Sequence, residues 1–301
     1  MRATVSFIDL LQQTVGLFSR HRRLLWFGVP FGIIAALSTK ASKYLPTITN
    51  EEAMNWSILL SKIEHNFPNF LGILGLLILL SILHSLLRGP YFLSLEETLN
   101  SDKDKKIPQP ISSRRYLRSA LITLKYDALY WLGITLLLVT VSLPIILALR
   151  FNQSVAPLIT ELGFILLLVI AALFFILKEF ALLYTLLAHA KLHVALELSL
   201  HLFKKHAFLT LLFSLFLILL SLFFTFPINL AIIASDFVEV YWLQKSFEWF
   251  SIGSILGISI LTEESLRLFF FHALAAAPKV KTPGVEEILE KKKNASTTPL
   301  A

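Results

Sequence analysis

Glu263, Glu264 and Arg267 are spaced so that their side chains could do chemistry together. They follow an apolar run at residues 246–261, and Arg267 lies one helical turn beyond Glu263. Carboxylates inside a membrane are costly and often mark an ion or substrate pathway, and Arg267 could neutralise Glu263. If the helix instead ended with the apolar run, Thr262 would be a helix cap at the membrane surface. We expect a structural role, at the surface or as an ion pair, with an intramembrane polar site as the alternative.

A second group, His189, His193, Glu197 and His201, recurs at every fourth residue. On one α-helix such positions form a stripe, and imidazole and carboxylate groups at this spacing could bind a divalent metal or relay protons. The apolar residues fall on the opposite face. We therefore favour the solvated face of an amphipathic helix, with no metal or other cofactor expected, and keep these four residues as metal-ligand candidates.

Other ionisable residues lie at the ends of apolar runs. Lys178, Glu179, Glu161 and His84 occupy such positions, and we expect their side chains to extend to the membrane surface. The sequence contains no Cys and no HExxH, GxSxG, Walker or GxGxxG motif. These absences argue against the common hydrolase, ATPase and dinucleotide-dependent enzymes, so an enzyme is not expected.

The elements that would position these residues are six apolar runs. The 301-residue chain is 56% hydrophobic and 16% charged, with a mean hydropathy of +0.73, whereas soluble domains carry about 25% charged residues. A helix needs about 20 apolar residues to cross a bilayer. The sequence predicts an all-α polytopic membrane protein with about six transmembrane helices, at residues 24–38, 67–87, 128–149, 156–177, 207–233 and 246–261.

The basic residues predict the orientation of these spans. With both termini in the cytoplasm, all Lys and Arg residues lie in inner segments except Lys40, Lys43, Lys62, Arg150 and Lys245. This rule also accounts for the net charge of +7 without a nucleic-acid partner. We expect a multi-pass protein of the cell (inner) membrane. Residues 1–277 would form the membrane domain and residues 278–301 a polar, disordered cytoplasmic tail.

Three basic amphipathic stretches precede the first, third and fifth apolar runs. Such stretches can lie in the headgroup plane with their apolar faces towards the membrane. His21 and His206 occupy the same place in the first and third stretches, and Asp127 takes it in the second. The pattern predicts three repeats, each an interfacial helix followed by a two-span hairpin. The stretches are residues 6–20, 113–125 and 192–205.

The layout resembles the membrane domain attached to bacterial glycerophosphodiester phosphodiesterases and its stand-alone relatives of unknown function. The similarity is carried by SFIDLLQQTVGLFSRHRRLLWFG (6–28), RGPYFLSLEETL (88–99) and ALELSLHLFKKHAFLTLLFSLFLILL (195–220). The chain holds no segment for the phosphodiesterase domain, so no activity or catalytic residue is transferred. The resemblance implies a stand-alone integral membrane protein of bacterial type.

Three functions are compatible with these patterns. The first is a non-catalytic membrane protein that organises lipids, anionic ones in particular, or protein partners including further copies of itself, at the cytoplasmic face. The second is a transporter or channel for a small solute, using Glu263 and Glu264. The third is an intramembrane metalloenzyme built on the His189 stripe. We favour the first, because basic amphipathic segments are present and catalytic motifs are not.

Overall fold

A computed structural model describes residues 6–43, 56–104, 111–151, 156–235, 237 and 240–276. Over these ranges the chain is helical and has no β-strand. The proposed tail at residues 278–301 lies outside them. Five segments are long and apolar enough to cross a membrane: Arg22–Ser42, Leu71–Asp102, Ser113–Val141, Ile165–Leu187 and Leu192–Ser235. The protein is therefore an all-helical chain of the kind found in multi-pass membrane proteins.

The helices follow the predicted apolar runs and extend beyond most of them. One short 3-10 helix at Arg22–Phe27 joins the first two α-helices. The last α-helix contains the sixth apolar run but is not among the five candidate spans, because serines, glycines and an acidic pair lower its hydropathy. The α-helices are α1 (Phe7–Arg20), α2 (Gly28–Lys43), α3 (Trp56–Asp104), α4 (Ser113–Phe151), α5 (Ala156–Leu187), α6 (Leu192–Ser235) and α7 (Tyr241–Ala276).

The three amphipathic stretches join their apolar runs in different ways. Ser6 caps α1 by accepting a hydrogen bond from the Asp9 backbone N–H, and α1 ends at Arg20, just before His21, whose backbone is not helical. The second stretch continues without a break into the apolar part of α4. In α6 the backbone departs from helical torsion angles at His206, so the third stretch meets its span at a kink. The threefold repeat itself stays a prediction.

Helices α2 to α7 form a closed ring. Each packs against its neighbours in the chain, and α7 closes the ring by packing against α2. In addition, α3, α5 and α7 contact one another, so these three helices line the centre. Large apolar side chains point outward from the ring and are exposed, among them Leu132, Val139, Leu222 and Phe223. Such an extensive apolar surface suits contact with lipid.

Glycines bring the first and last helices of the ring into close contact. Gly28 and Gly32 on α2 face Gly257 and Gly253 on α7. A Cβ atom at Gly32 would collide with the carbonyl oxygen of Gly253, and one at Gly257 would collide with that of Gly28. On each helix the two glycines are four residues apart, which is the spacing that lets the backbones of membrane helices come into direct contact. The ring therefore closes along a contact that leaves no room for a side chain at Gly32 or Gly257.

Candidate functional site

Charged side chains from four helices meet at the centre of the ring and form what we term the ion cluster. It combines three cations with four carboxylates, and five of these seven residues are buried. Isolated charges in such surroundings would be very costly, so each must be compensated by its neighbours. The members are Arg88 on α3, Asp127 on α4, Lys178 and Glu179 on α5, and Glu263, Glu264 and Arg267 on α7.

Arg88 is the hub of the ion cluster and is only 3% exposed. Its Nη1 donates a hydrogen bond to Glu179 Oε1 at 2.9 Å, and its Nη2 donates to the second oxygen of the same carboxylate. Nη2 also donates to Glu264 Oε2 at 2.8 Å. This paired arrangement uses the fixed fork of the guanidinium group, which a lysine could not reproduce. Arg88 thereby links α3 to both α5 and α7.

Lys178 extends the ion cluster towards α4. Its ammonium group lies 2.7 Å from Asp127 Oδ1 and 2.7 Å from Glu179 Oε1. The hydroxyl of Ser85 donates a hydrogen bond to the other oxygen of Asp127 at 2.6 Å. Asp127 is therefore bound by Lys178 and Ser85, and Glu179 by Lys178 and Arg88, so both buried carboxylates have the hydrogen-bond donors that they require.

Arg267 and the two glutamates form the α7 side of the ion cluster. Arg267 Nη1 donates to Glu264 Oε1 at 2.7 Å, whereas Nη2 lies 3.7 Å from Glu263. The sequence pointed to Glu263 as the partner of Arg267, but Glu264 makes the closer contact. Thr262 is not a helix cap: α7 continues to Ala276, and the Thr262 hydroxyl donates to the Ile258 carbonyl within the helix.

Neighbouring residues hold the helices that carry the ion cluster in register. A Cβ atom at Gly89 would collide with the carbonyl oxygen of Ser119, so α3 and α4 touch beside Arg88. The Tyr91 hydroxyl hydrogen-bonds with Ser265 Oγ at 2.7 Å and donates to the Leu261 carbonyl at 3.2 Å, which joins α3 to α7. The packing of α3 against α4 and its hydrogen bonds to α7 thus fix the position of the Arg88 guanidinium group.

The structure corrects the expectation that Lys178 and Glu179 extend to a membrane surface. They are 8% and 6% exposed and lie inside the ring, because Arg88 and Asp127 supply compensating charges there. His84 is half-buried, with its ring centroid 5.1 Å from that of Phe31. The side chain of Glu161 lies outside the described part of the chain.

Little open space accompanies the ion cluster. A cleft of about 40 Å³ touches Glu179 and Arg267 between aromatic side chains that include Phe175 and Phe270. This volume accommodates a water molecule or two. Arg88 Nε is buried and has no hydrogen-bond partner in the described residues. In this conformation the arrangement can neutralise charge and join helices, and the cleft is too small for an organic solute.

The four His and Glu metal-ligand candidates do not share one helix. His189 lies just after the end of α5 in the left-handed conformation, with φ of 52°, and the Ala190 N–H donates to the Tyr184 carbonyl. Because α6 begins only at Leu192, His189 is not on the stripe with the other three, which are exposed on α6. Across the described residues, no three His, Asp or Glu side chains converge as a metal site. The expectation of a solvated helix face without metal, and the alternative of metal binding, both stay predictions.

A second group of charges lies on the first turns of α4 and is exposed. We term it the basic surface: Arg114, Arg115, Arg118 and Lys125. Among the described residues none of the four has a side-chain ion pair or hydrogen bond. They surround an open hollow of about 630 Å³ whose floor includes Leu117 and Leu121, which are 61% and 53% exposed. Cations beside apolar side chains could contact headgroups and acyl chains together.

Comparison with protein-family models, curated proteins and solved structures finds no match for this chain. The resemblance to the membrane domain of bacterial glycerophosphodiester phosphodiesterases therefore stays a prediction. What the molecule does must be argued from the ion cluster and the basic surface alone.

Proposed function

We propose that this is an integral membrane protein that organises anionic lipid at the cytoplasmic face through the basic surface. The observation that carries the proposal is that Arg114, Arg115, Arg118 and Lys125 are exposed and unpaired within the described structure. Each cation near a membrane surface attracts anionic lipid by about 1 kcal/mol. Four of them around one hollow would bind a phosphate headgroup more tightly than scattered charges would.

The ion cluster supports this assignment by its contrast with the basic surface. Its cations already have carboxylate partners, so they attract no further anion. Arg88 and Lys178 instead join the four helices, one of which is the helix α4 that carries the basic surface. On this proposal the ion cluster keeps the scaffold rigid, and the unpaired cations perform the recognition.

The orientation and the repeat belong to the same proposal. Six spans with cytoplasmic termini would place the basic surface at the cytoplasmic membrane surface. Three units would be α1 to α3, α4 with α5, and α6 with α7. In support, α3, α5 and α7 end their units and meet at the centre. The backbone breaks at His21 and His206 also fall at matched positions in the first and third units.

Lipid binding to the purified full-length protein tests this function. Native mass spectrometry would count phosphatidylglycerol and phosphatidylcholine molecules with identical acyl chains retained on the protein. We expect a preference for the anionic lipid that falls several-fold when Arg114→Gln and Arg118→Gln are combined. Lys204→Gln with Lys205→Gln removes the same charge from exposed positions on α6 and should cost less. Equal retention of both lipids by the unaltered protein would refute the proposal.

A transporter or channel is the second candidate function, and one observation favours it. Arg88 Nε lacks a partner within the described residues, and the small cleft at Glu179 and Arg267 adjoins the same ion cluster. Opening of that cleft in another conformation would expose Glu263 and Glu264 to a solute. Flux into proteoliposomes is the assay. A flux that persisted in the Glu263→Gln, Glu264→Gln double variant would remove these residues from any pathway.

A further inference from the structure

A hollow of about 230 Å³ lies between the 3-10 helix, α3 and the start of α4, apart from both the ion cluster and the basic surface. It is smaller than the roughly 300–1,000 Å³ pockets of drug-sized ligands, so it suits a small group. It shares no lining residue with the basic surface. The lining residues are Arg23, Leu24, Phe27, Ser94, Glu97, Ile111 and Tyr116.

The hollow presents one positive and one negative charge. Arg23 is exposed and Glu97 is half-buried, and in the described residues neither side chain has an ion pair or a hydrogen bond. Ser94 precedes Glu97 by one turn on the same face of α3, and its hydroxyl lies 3.0 Å from that of Tyr116. Two opposite charges that line one small hollow without pairing fit a ligand that carries both signs itself.

The walls of the hollow are held in place without a ligand. Asp102 at the end of α3 accepts contacts from Arg20 Nη1 at 3.0 Å and from His21 Nε2 at 2.8 Å. These contacts fix the start of the 3-10 helix against α3. On the opposite side, the Phe27 ring packs against Tyr91 with centroids 5.4 Å apart. A site built in this way would lose little conformational entropy when it binds.

The hollow lies where a lipid headgroup would be found. The 3-10 helix connects an amphipathic helix to an apolar one, and its Trp26 is 75% exposed, as residues at the membrane interface commonly are. Leu24 and Phe27 give the hollow an apolar side that could face the glycerol end of a lipid.

We infer that this hollow binds a zwitterionic headgroup that combines a phosphate with a primary ammonium group, as in phosphatidylethanolamine. Arg23 donates to the phosphate oxygens, and the ammonium N–H groups donate to the Glu97 carboxylate. A choline headgroup has no N–H to donate and a glycerol headgroup has no positive charge. Glu97 therefore selects for the amine, and Arg23 contacts the phosphate that all of these lipids share.

Retention of lipid by the full-length protein in native mass spectrometry tests the site. With matched acyl chains, we expect about tenfold preference for phosphatidylethanolamine over phosphatidylcholine, the worth of one charged hydrogen bond. Glu97→Gln should abolish most of this preference. Arg23→Gln should weaken retention of both lipids. Arg22→Gln at the adjacent position and Asp9→Asn on α1 are charge-matched controls at exposed positions that do not line the hollow, and both should behave as the unaltered protein does.

Three results would overturn the inference. One is equal retention of the two lipids by the unaltered protein, and another is a loss in the Arg22 or Asp9 control as large as in Arg23→Gln or Glu97→Gln. The third is a failure of soluble phosphoethanolamine, which carries the same phosphate and ammonium groups, to compete with the lipid in the unaltered protein. If it bound while the lipid showed no preference, a soluble zwitterion would replace the lipid as the occupant. The combined Arg114→Gln and Arg118→Gln variant tests the basic surface separately. Its retention of phosphatidylglycerol, whether lost or kept, does not bear on the preference for phosphatidylethanolamine at the hollow.

Discussion

The ion cluster and the basic surface both contain Arg and Lys side chains, but these are buried or half-buried and paired with carboxylates in the first and exposed in the second. In the ion cluster, Arg88 has two carboxylate partners and is almost fully buried, whereas Arg118 on the basic surface is exposed and without a partner in the described structure. A buried charge must be compensated inside the protein, and an exposed one is free to meet a ligand. The difference teaches that the buried cations should govern stability, and the exposed ones binding.

The largest effect is expected from Arg88→Leu. It removes one of the two counter-charges of each of the buried carboxylates Glu179 and Glu264, which should lower the free energy of unfolding by about 3–5 kcal/mol. Thermal unfolding in detergent, followed by circular dichroism, would measure the loss. Arg118→Leu is the matched control and should unfold as the unaltered protein does. Equal unfolding temperatures for the two variants would break the comparison between the two regions.

A smaller loss, of about 1–3 kcal/mol, is expected for Gly32→Ala. The added methyl group collides with the backbone of Gly253 and separates α2 from α7. Gly75→Ala provides the control on α3, since a Cβ there has no neighbour within 4 Å. The same unfolding measurement applies. A Gly32 variant as stable as the Gly75 variant would show that the ring tolerates a wider contact.

Tyr91→Phe should cost about 0.5–1.5 kcal/mol, because it removes the hydroxyl that contacts Ser265 and the Leu261 carbonyl beside the ion cluster. Tyr241→Phe is the control, since Tyr241 is exposed at the start of α7. Unfolding in detergent again gives the measurement. No difference between the two variants would argue that the ion cluster holds α3 and α7 in register by itself.

The smallest effect on stability is expected from the combined Arg114→Gln and Arg118→Gln changes. Exposed residues without partners usually alter the free energy of unfolding by less than about 0.5 kcal/mol. The same protein should lose anionic-lipid retention several-fold, which sharpens the separation between folding and binding. Unfolding as early as that of Arg88→Leu would mean that the basic surface is also structural.

The sequence predicts the helices well, because a long apolar run indicates a segment that lipid surrounds, and the backbone of such a segment must be helical. Five of the six runs each lie within one helix of the described structure, and the first, residues 24–38, is divided between the 3-10 helix and α2. His21 and His206 stand out in the sequence as matched positions of the predicted repeat, but the departure of both from helical geometry was not predicted.

The ion cluster was only partly predictable. Glu263, Glu264 and Arg267 are conspicuous because they are close in the sequence, but Glu264 meets Arg88 across 176 residues and Glu179 meets it across 91. No local pattern encodes such a pairing. Arg88 directly follows an apolar run, and the sequence pattern there is the same whether the side chain lies at the membrane surface or in the centre of the ring.

One further signal was present in the sequence but not used. The four-residue glycine spacings at Gly28 and Gly32, and at Gly253 and Gly257, are typical of close helix contacts in membranes. They do not reveal which helices meet. That pairing depends on the ring closing between the first and last helices, which is a property of the whole chain.

The long separation between Arg88 and its partners has a consequence for biosynthesis. At translation rates of roughly 5–20 residues per second, Arg88 is made about 5 to 18 s before Glu179, and Glu264 follows later still. During that interval the nascent α3 carries the Arg88 guanidinium group without either of the two glutamates to which it donates hydrogen bonds. The membrane-insertion machinery, or water beside it, must shelter this charge until α5 arrives, and assembly is complete only when α7 enters.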